Sequence, residues 1–550
     1  MKNIYLLAAL LVLSTSALFA VEYNITVDGQ FDDWADVQAA YSKTPTGNGT
    51  EILAIKTVTD SRFIFVYFEL SKEIVLNNYD VSFFFDADLN AQSGEGSFGA
   101  DLTWDFANLK GSHIVQGEKT IINHSHLNLV ALPSYSSNKF EFAIERKVAI
   151  KGKVLFPEVS TRFWMTTGSD QAPGDAPLTI QLDGERIFSA PVTIERAVNS
   201  DLRVATFNAR MDNIFTPAGD AAFGKLISAL RPDVIALQEI YDHTAQQTLV
   251  LVSKYYPSMS PLPLYSLKAE PDIVLISRYP IIDIENIAGN GVFHLSSKNA
   301  LGTNLIVIAS HLPAGDKDSE RAEEADKLVK AISEINSGNF KFNVEKNAPI
   351  IMLGDFNLVG SSAQYRTLVD GKLSTGETLP PDAGVGSFAQ AQPVQPFVPM
   401  TYTWRNAASD YPASLLDYIF YTSSTLELKN SLALFTEELP SEYLTQYGLD
   451  YSASSDASDH LPFVADFSIK TLSVREEDKI ADAYPNPAYD FVMLPAGASG
   501  TVKVFRSTGE LIFERECDPA RIDVRALPPG LYLMQAEADG ESRFYKFVKL

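Results

Sequence analysis

The stretch Pro349–Asn357, PIIMLGDFN, decides the reading of this chain. Its apolar run Ile350–Leu353 predicts a fully buried strand, and Gly354 is expected to break it. A carboxylate and a carboxamide follow, Asp355 and Asn357, two residues apart. In extended chain that spacing points both side chains the same way. Open α/β sheets place their sites beyond the carboxyl ends of such strands. The competing reading of these residues is a strand followed by an Asx-turn. Matching polar groups at other strand ends decide between the two.

Outward from this stretch, strand-like runs alternate with helical ones, the pattern of a layered α/β domain over residues 200–470. Arg203–Phe207, Val234–Leu237, Ile273–Ile276, Leu305–Ala309, Tyr418–Tyr421 and Phe463–Phe467 read as strands. Ala221–Leu230, Thr244–Tyr255 and Ser319–Ile335 read as helices; in the last, Ala325, Leu328, Val329 and Ile332 recur at helical spacing on a charged background. Two long loops, Ser374–Met400 and 436–458, interrupt the alternation.

The strand ends deliver a consistent set of groups. RVATF ends in Asn208, with Arg210 two further on, and VIAL ends in Gln238-Glu239. LIVIAS ends in His311, Asp417 opens DYIFY, and Asp459-His460 stands before the last strand. Core packing alone does not call for an Asn, Glu, Asp or His at each of six strand ends. The residue types suit phosphoester hydrolysis. Asn208, Glu239 and Asp459 offer hard oxygen ligands to Mg²⁺, with Mn²⁺ or Ca²⁺ as alternatives. Asp355, oriented by Asn357, can activate water, and His460 beside Asp417 suits acid–base work or a cationic phosphate clamp, with His311 as a second such group. A two-His one-carboxylate iron site is the competing metal reading; Glu239 and the two asparagines favour an oxygen-loving cation.

FNAR, DVIALQEI, SHL, GDFN, LLDYIF and SDHLP, in this order, resemble the endonuclease/exonuclease/phosphatase (DNase I-like) superfamily over about residues 201–469. The resemblance implies a four-layer α/β sandwich and divalent-metal-dependent cleavage of phosphoesters. By motif it carries over to Asn208, Glu239, His311, Asp355, Asn357, Asp417, Asp459 and His460. Arg210 resembles an arginine that meets a backbone phosphate in the DNase I-like members; an exposed salt-bridging arginine is the other reading. A carboxylate that orients the first histidine is expected before SRYPI; Glu270 and Asp272 both qualify, and spacing does not choose between them.

The flanks read differently. Residues 1–20, with Lys2, an apolar Ile4–Leu13 and small residues after it, read as a cleaved signal peptide, too short for the roughly 20 residues of a membrane span. No later segment reads as a transmembrane helix. Residues 21–191 alternate and are aromatic-rich, as in Ser61–Glu69 and Val81–Phe85, the pattern of an antiparallel β-sandwich. ITVDGQFDDWAD and FFFDADLNAQSGEGSFGADLTWDF resemble carbohydrate-binding-like modules, which implies a glycan or cell-surface partner. Asp86, Asp88 and Asn90 could face calcium, but a polar hairpin loop explains them too; Trp104 and Trp164 read as core before sugar platforms. Residues 482–550 form a small β-sandwich by pattern. Tyr484-Pro485-Asn486-Pro487, the Gly509 turn and Leu527…Gly530-Leu531-Tyr532 resemble the C-terminal sorting domain of type IX secretion substrates. That resemblance implies handling by the type IX machinery and release outside the cell or attachment at its surface.

Composition sets limits. Lys and Arg number 44 against 69 Asp and Glu, a formal charge of −25, which disfavours tight nucleic-acid holding by phosphate neutralisation. The single Cys517 excludes an internal disulfide and thiolate zinc sites. The expected protein is a secreted, Mg²⁺-dependent phosphodiesterase, most simply an extracellular nuclease. A sphingomyelinase- or phospholipase C-like or phosphatase activity is the runner-up. A catalytically inactive, glycan-binding adhesion protein is the alternative of another class.

Overall fold

The computed structural model describes residues 23–168, 170–182, 193–256, 263–470, 481–483, 485–493, 498–506, 510–517, 521–538 and 541–550. The expected signal peptide, residues 183–192 of the connector, linker residues 471–480, Tyr484 and the Ser507–Gly509 turn lie outside them. The described residues fall into two compact units, divided between Ile469 and Lys470.

Two mixed sheets organise the region that holds the strand ends. Numbered from its first strand, it contains β1 (Leu202–Asn208), β2 (Val234–Gln238), β3 (Tyr265–Ala269), β4 (Ile273–Ser277), β5 (Ile281–Ile287) and β6 (Asn290–Leu295). It continues with β7 (Leu305–His311), β8 (Ile350–Asp355), β9 (Ala389–Ala391), β10 (Asp417–Tyr421), β11 (Leu426–Ala433) and β12 (Phe463–Ile469). Strand order is β3-β4-β2-β1-β12-β11 in one sheet and β5-β6-β7-β8-β10-β9 in the other. Each sheet has one central parallel pair, β1/β2 and β7/β8, and is otherwise antiparallel. The crossovers are α1 (Pro217–Leu230) and, between β7 and β8, the helix Asp318–Ser337, as parallel pairing requires.

Period-2 alternation sorts β1 between two cores. Leu202 and Val204 join one that runs through β6, β7, β8 and β10, while Ala205 and Phe207 join another with Phe223, Leu226 and Leu230 of α1. Thr216 caps α1 by accepting the Gly219 N–H at 3.0 Å, and Arg231 ends it in the left-handed region at φ 48°. Gly354 does not end its strand as expected. It lies inside β8 at φ +148°, where a Cβ would stand 1.9 Å from Ser310 O of β7. Glycine here permits close approach of two backbones and carries the strand one residue further, to Asp355.

The N-terminal region is β-rich as expected. Among the described residues, one sheet runs from Tyr41–Ser42 through Ile52–Thr59, Phe63–Ile74 and Ser137–Glu145 to Val130–Leu132, and a second centres on Val81–Asp86 and Ser160–Thr167. Phe68, Phe83, Phe85, Phe142 and Phe163 fill the space between them. Trp104 is buried there, while Trp164, on the opposite face of its strand, is buried against Phe84, on which it stacks, and Phe98. Asp86, Asp88 and Asn90 bond within their own loop, and Asp86 also pairs with Arg162 at 2.9 Å. The outer face of the first sheet does not end in solvent. Ile25, Val27, Phe63, Phe65, Val130 and Leu132 share one core with Met400, Tyr402, Ala413, Leu415 and Tyr418.

The C-terminal unit has a sheet ordered Ala481–Asp482, Glu541–Lys549, Gly530–Ala538, Ala498–Arg506 and Leu511–Cys517, over Val492, Val502, Val504, Met534 and Phe547. Among the described residues no helix is long and apolar enough to cross a membrane.

Candidate active site

The carboxyl ends of both parallel pairs point to the same place. Across the second sheet, His311 pairs with Asp355 and Asp355 with Asp417, so β7, β8 and β10 set three site residues on one rung. The first sheet delivers Asn208 and Glu239 opposite them. Asn208 Nδ2 reaches Glu239 Oε1 at 3.0 Å and Asp355 Oδ2 at 3.2 Å, joining the two sheets. His460 comes from the residues just before β12.

Asp355 is the hub. Its Oδ2 lies 3.7 Å from His311 Nε2 and 3.6 Å from His460 Nε2, while Oδ1 accepts the Asn357 N–H at 3.1 Å. The Asx geometry and the functional geometry are thus both present, one on each oxygen. Asn357, at φ 48°, aims its Nδ2 at Leu312 O (3.0 Å). Each imidazole is held from behind by a carboxylate: His460 Nδ1 by Asp417 Oδ2 at 2.8 Å, and His311 Nδ1 by Asp272 Oδ2 at 2.6 Å. Asp272 is therefore the orienting carboxylate that the sequence left open. Glu270 is largely exposed and sits beside Lys268.

Burial and charge set the protonation states. Burial alone would lower His460, but the charges of Asp417 and Asp355 and the bond to Asp417 override it and lift the ring to about 10. His311 is likewise pushed down by burial and lifted further by its bond to Asp272 and the charges of Asp355 and Asp272, to about 9. Burial raises the Asp355 carboxyl to about 6 against the pull of both imidazoles. At neutral pH two imidazolium rings therefore flank one buried carboxylate.

Glu239 and Asp459 are half-buried and Arg210 is exposed. Glu239 Oε2 accepts the Met211 N–H at 2.8 Å, and Asp459 Oδ1 lies 3.8 Å from Arg210 Nε. Arg210, Met211 and Asp212 follow one another at φ 47°, 54° and 60°, and Glu239 sits at φ 60°. Such a run of non-glycine residues in the left-handed region is costly and concentrates at working sites. Asp355, Asp417 and His460 also form a cluster whose ligand atoms lie within 4.8 Å of one another. Asp417 Oδ1 is buried without a hydrogen-bond partner.

Sequence reasoning missed Thr403, whose Oγ1 accepts the N–H groups of Leu416 (3.0 Å) and Asp417 (2.8 Å). It also missed Trp404, whose indole N–H donates to Asp459 Oδ2 at 3.3 Å. The available signal was a polar-aromatic TYTW segment shortly before LLDYIF.

Residues 205–460 match the Endonuclease/Exonuclease/phosphatase family, and residues 482–550 match the Secretion system C-terminal sorting domain. The chain thus carries a domain of that family and ends in a sorting domain of type IX secretion, which directs it to the cell surface or the extracellular space. Among curated proteins it is similar to Nocturnin of Rattus norvegicus, 28% identical over 268 residues, covering 44% of this chain and 56% of that protein. It is also similar to the CCR4-Not complex 3'-5'-exoribonuclease subunit Ccr4 of Yarrowia lipolytica, 25% identical over 211 residues, covering 37% and 27%. The chain spans about half or less of the length of these relatives. Among solved structures it is similar to ANGEL2, a 2',3'-cyclic phosphatase, at 19% identity and TM-score 0.34, covering 51% of this chain and 100% of that one. Beta toxin from Staphylococcus aureus follows at 16% identity and TM-score 0.30, covering 48% and 99%.

Proposed function

We propose that this protein is a secreted, divalent-metal-dependent phosphodiesterase acting on nucleic acid. The observation that carries the reading is the convergence of Asn208, His311 and His460, from three separate elements, on one oxygen of a buried Asp355. The family match over residues 205–460 and the exoribonuclease named among the relatives support it. So does the layering: we read helix, sheet, sheet and helix as the four-layer sandwich implied by the sequence motifs.

The donor set fits a hard cation. Glu239 and Asp459 would offer carboxylate oxygens, while Asn208 gives its Nδ2 to Glu239 and Asp355 and its Oδ1 to the Arg210 N–H, so it would hold Glu239 in place rather than ligate. Such a cation would supply charge neutralisation at the phosphoryl group. We set the iron reading aside because the partly exposed donors of the site, Glu239 and Asp459, are carboxylates, which favour an oxygen-loving cation. His311 and His460 hold phosphoryl oxygens as charged donors. Asp355, near 6, takes the proton of the attacking water, and Asn357 fixes the turn that aims it. Arg210, exposed beside Asp459, meets a neighbouring phosphate of the same strand.

The test is turnover of the purified protein on RNA, DNA, sphingomyelin and a generic phosphodiester, with Mg²⁺ and with EDTA. Metal-dependent cleavage of RNA or DNA is the expected result. Preference for sphingomyelin would move the assignment to the phospholipase reading, and no turnover on any substrate would overturn the enzyme.

A further inference from the structure

The N-terminal β-sandwich grips one segment of the catalytic region, residues 399–416, along most of its length. The Val27 N–H donates to Pro399 O at 2.9 Å, and the Thr401 N–H donates back to Val27 O at 3.1 Å. Further along, Arg405 Nη2 donates to Asn128 Oδ1 at 2.8 Å, His124 Nε2 lies 3.0 Å from Ser409 O, and the Leu415 N–H donates to Ser134 Oγ at 3.2 Å.

The opposite side of the same segment holds half of the active site. Thr403 Oγ1 fixes the backbone of Asp417, and Thr403 O accepts the Leu461 N–H at 2.7 Å. The Arg405 N–H donates to Asp459 O at 2.8 Å, and Trp404 bridges His460 and bonds Asp459. One residue thus touches both sides. The backbone of Arg405 holds Asp459, and its guanidinium, over the Phe435 ring at 5.3 Å, holds Asn128 of the sandwich.

We propose that the N-terminal sandwich is a working part of the active site, gripping residues 399–416 so that Asp417, Asp459 and His460 stay in register, with Arg405 as the positioning residue. The proposal rests on the phosphodiesterase reading for its kinetic arm only. The sandwich acts from behind the site, through the segment it clamps, and its role does not depend on any glycan. Because both regions share one hydrophobic core, excising the sandwich would expose that core, so point variants are the proper probes.

The experiment compares Arg405→Ala, Asn128→Gly, their double variant and Arg405→Lys in the full chain. Asn128 sits at φ 47°, which glycine accepts. Asn128 also bonds Glu145, an interaction that only one of the two single variants breaks, so a shared effect belongs to the Arg405–Asn128 tether. Each single variant is expected to lower kcat about 10-fold or more, since small misplacements of catalytic groups are costly. KM should stay within about twofold, as expected when ground-state binding is untouched. The double variant should fall no further than the singles, and Arg405→Lys should recover part of the loss. Hydrogen exchange, read without substrate, should rise at 401–417 and 458–461 while the thermal midpoint holds. Wild-type kcat or unchanged exchange in the single variants would overturn the tether. No turnover in the wild-type chain, with exchange in the single variants still raised above it as stated, would overturn the phosphodiesterase reading and leave the tether standing.

Discussion

Asp272 Oδ2 accepts two hydrogen bonds, from His311 Nδ1 at 2.6 Å and from the Glu239 backbone N–H at 3.0 Å. One buried oxygen therefore ties the orientation of an imidazolium in one sheet to the backbone of a candidate metal ligand in the other. Asp272→Asn keeps the shape but removes the charge that holds His311 protonated. Turnover should fall about 10- to 100-fold, the usual cost of losing an orienting carboxylate. The thermal midpoint at neutral pH should drop only modestly. Steady-state kinetics beside calorimetry separates the two effects.

His460→Ala removes a charged donor that faces Asp355 and leaves Asp417 buried without it. We expect turnover to fall about 10²- to 10⁴-fold, the range for a positioned acid–base group. Circular dichroism should show the fold retained. Activity close to wild type would place the chemistry elsewhere.

The two imidazoles make metal-free stability depend on pH. Both rings are raised above 6.5, to about 9 and about 10, so the folded state binds their protons more tightly than the unfolded chain. The stabilisation is complete below about pH 6.5 and disappears as pH rises through 9 and 10. In EDTA, the difference in thermal midpoint between wild type and His311→Ala should shrink over that window. A constant difference from pH 6 to 10.5 would contradict the assignment. Turnover should fall on the acid side as pH drops below about 6, where Asp355 gains its proton.

Glu239→Gln tests the cation directly. Wild type should gain thermal stability with added Mg²⁺, because a ligand that binds only the folded state stabilises it. The variant should fold but show little of this gain. Equal gains in both proteins would exclude Glu239 as a ligand.

Gly354→Ala tests the close approach of β7 and β8. A Cβ at 1.9 Å from Ser310 O, on a backbone at φ +148°, cannot be relieved by a side-chain rotation. We expect a loss of about 3 kcal/mol or more in urea unfolding, in the range of strained backbone with overpacking.

The sequence carried the buried strands and the site residues at their ends well, because both are local signals. Ile350–Leu353 is continuous apolar chain, and Asp355 follows it directly. It carried the partly exposed β3, β5 and β11 poorly, since Tyr265–Ala269, Ile281–Ile287 and Leu426–Ala433 lack a clean alternation. β6 begins with Asn290-Gly291, which reads as a turn. Asp272 and Glu270 were inseparable because each stands beside Pro271; only the fold shows which of them points inward. Arg405 was invisible for another reason. Its partner Asn128 is 277 positions away, and its hold on Asp459 is through backbone atoms that any residue has.

The rung that carries His311, Asp355 and Asp417 has a consequence for how preparations of this protein should be judged. A slip of one position in either ladder turns a strand's side chains to the opposite face. Such a molecule would not have a weakened centre; it would have none. Specific activity of the refolded wild type at saturating metal therefore counts correctly zipped chains.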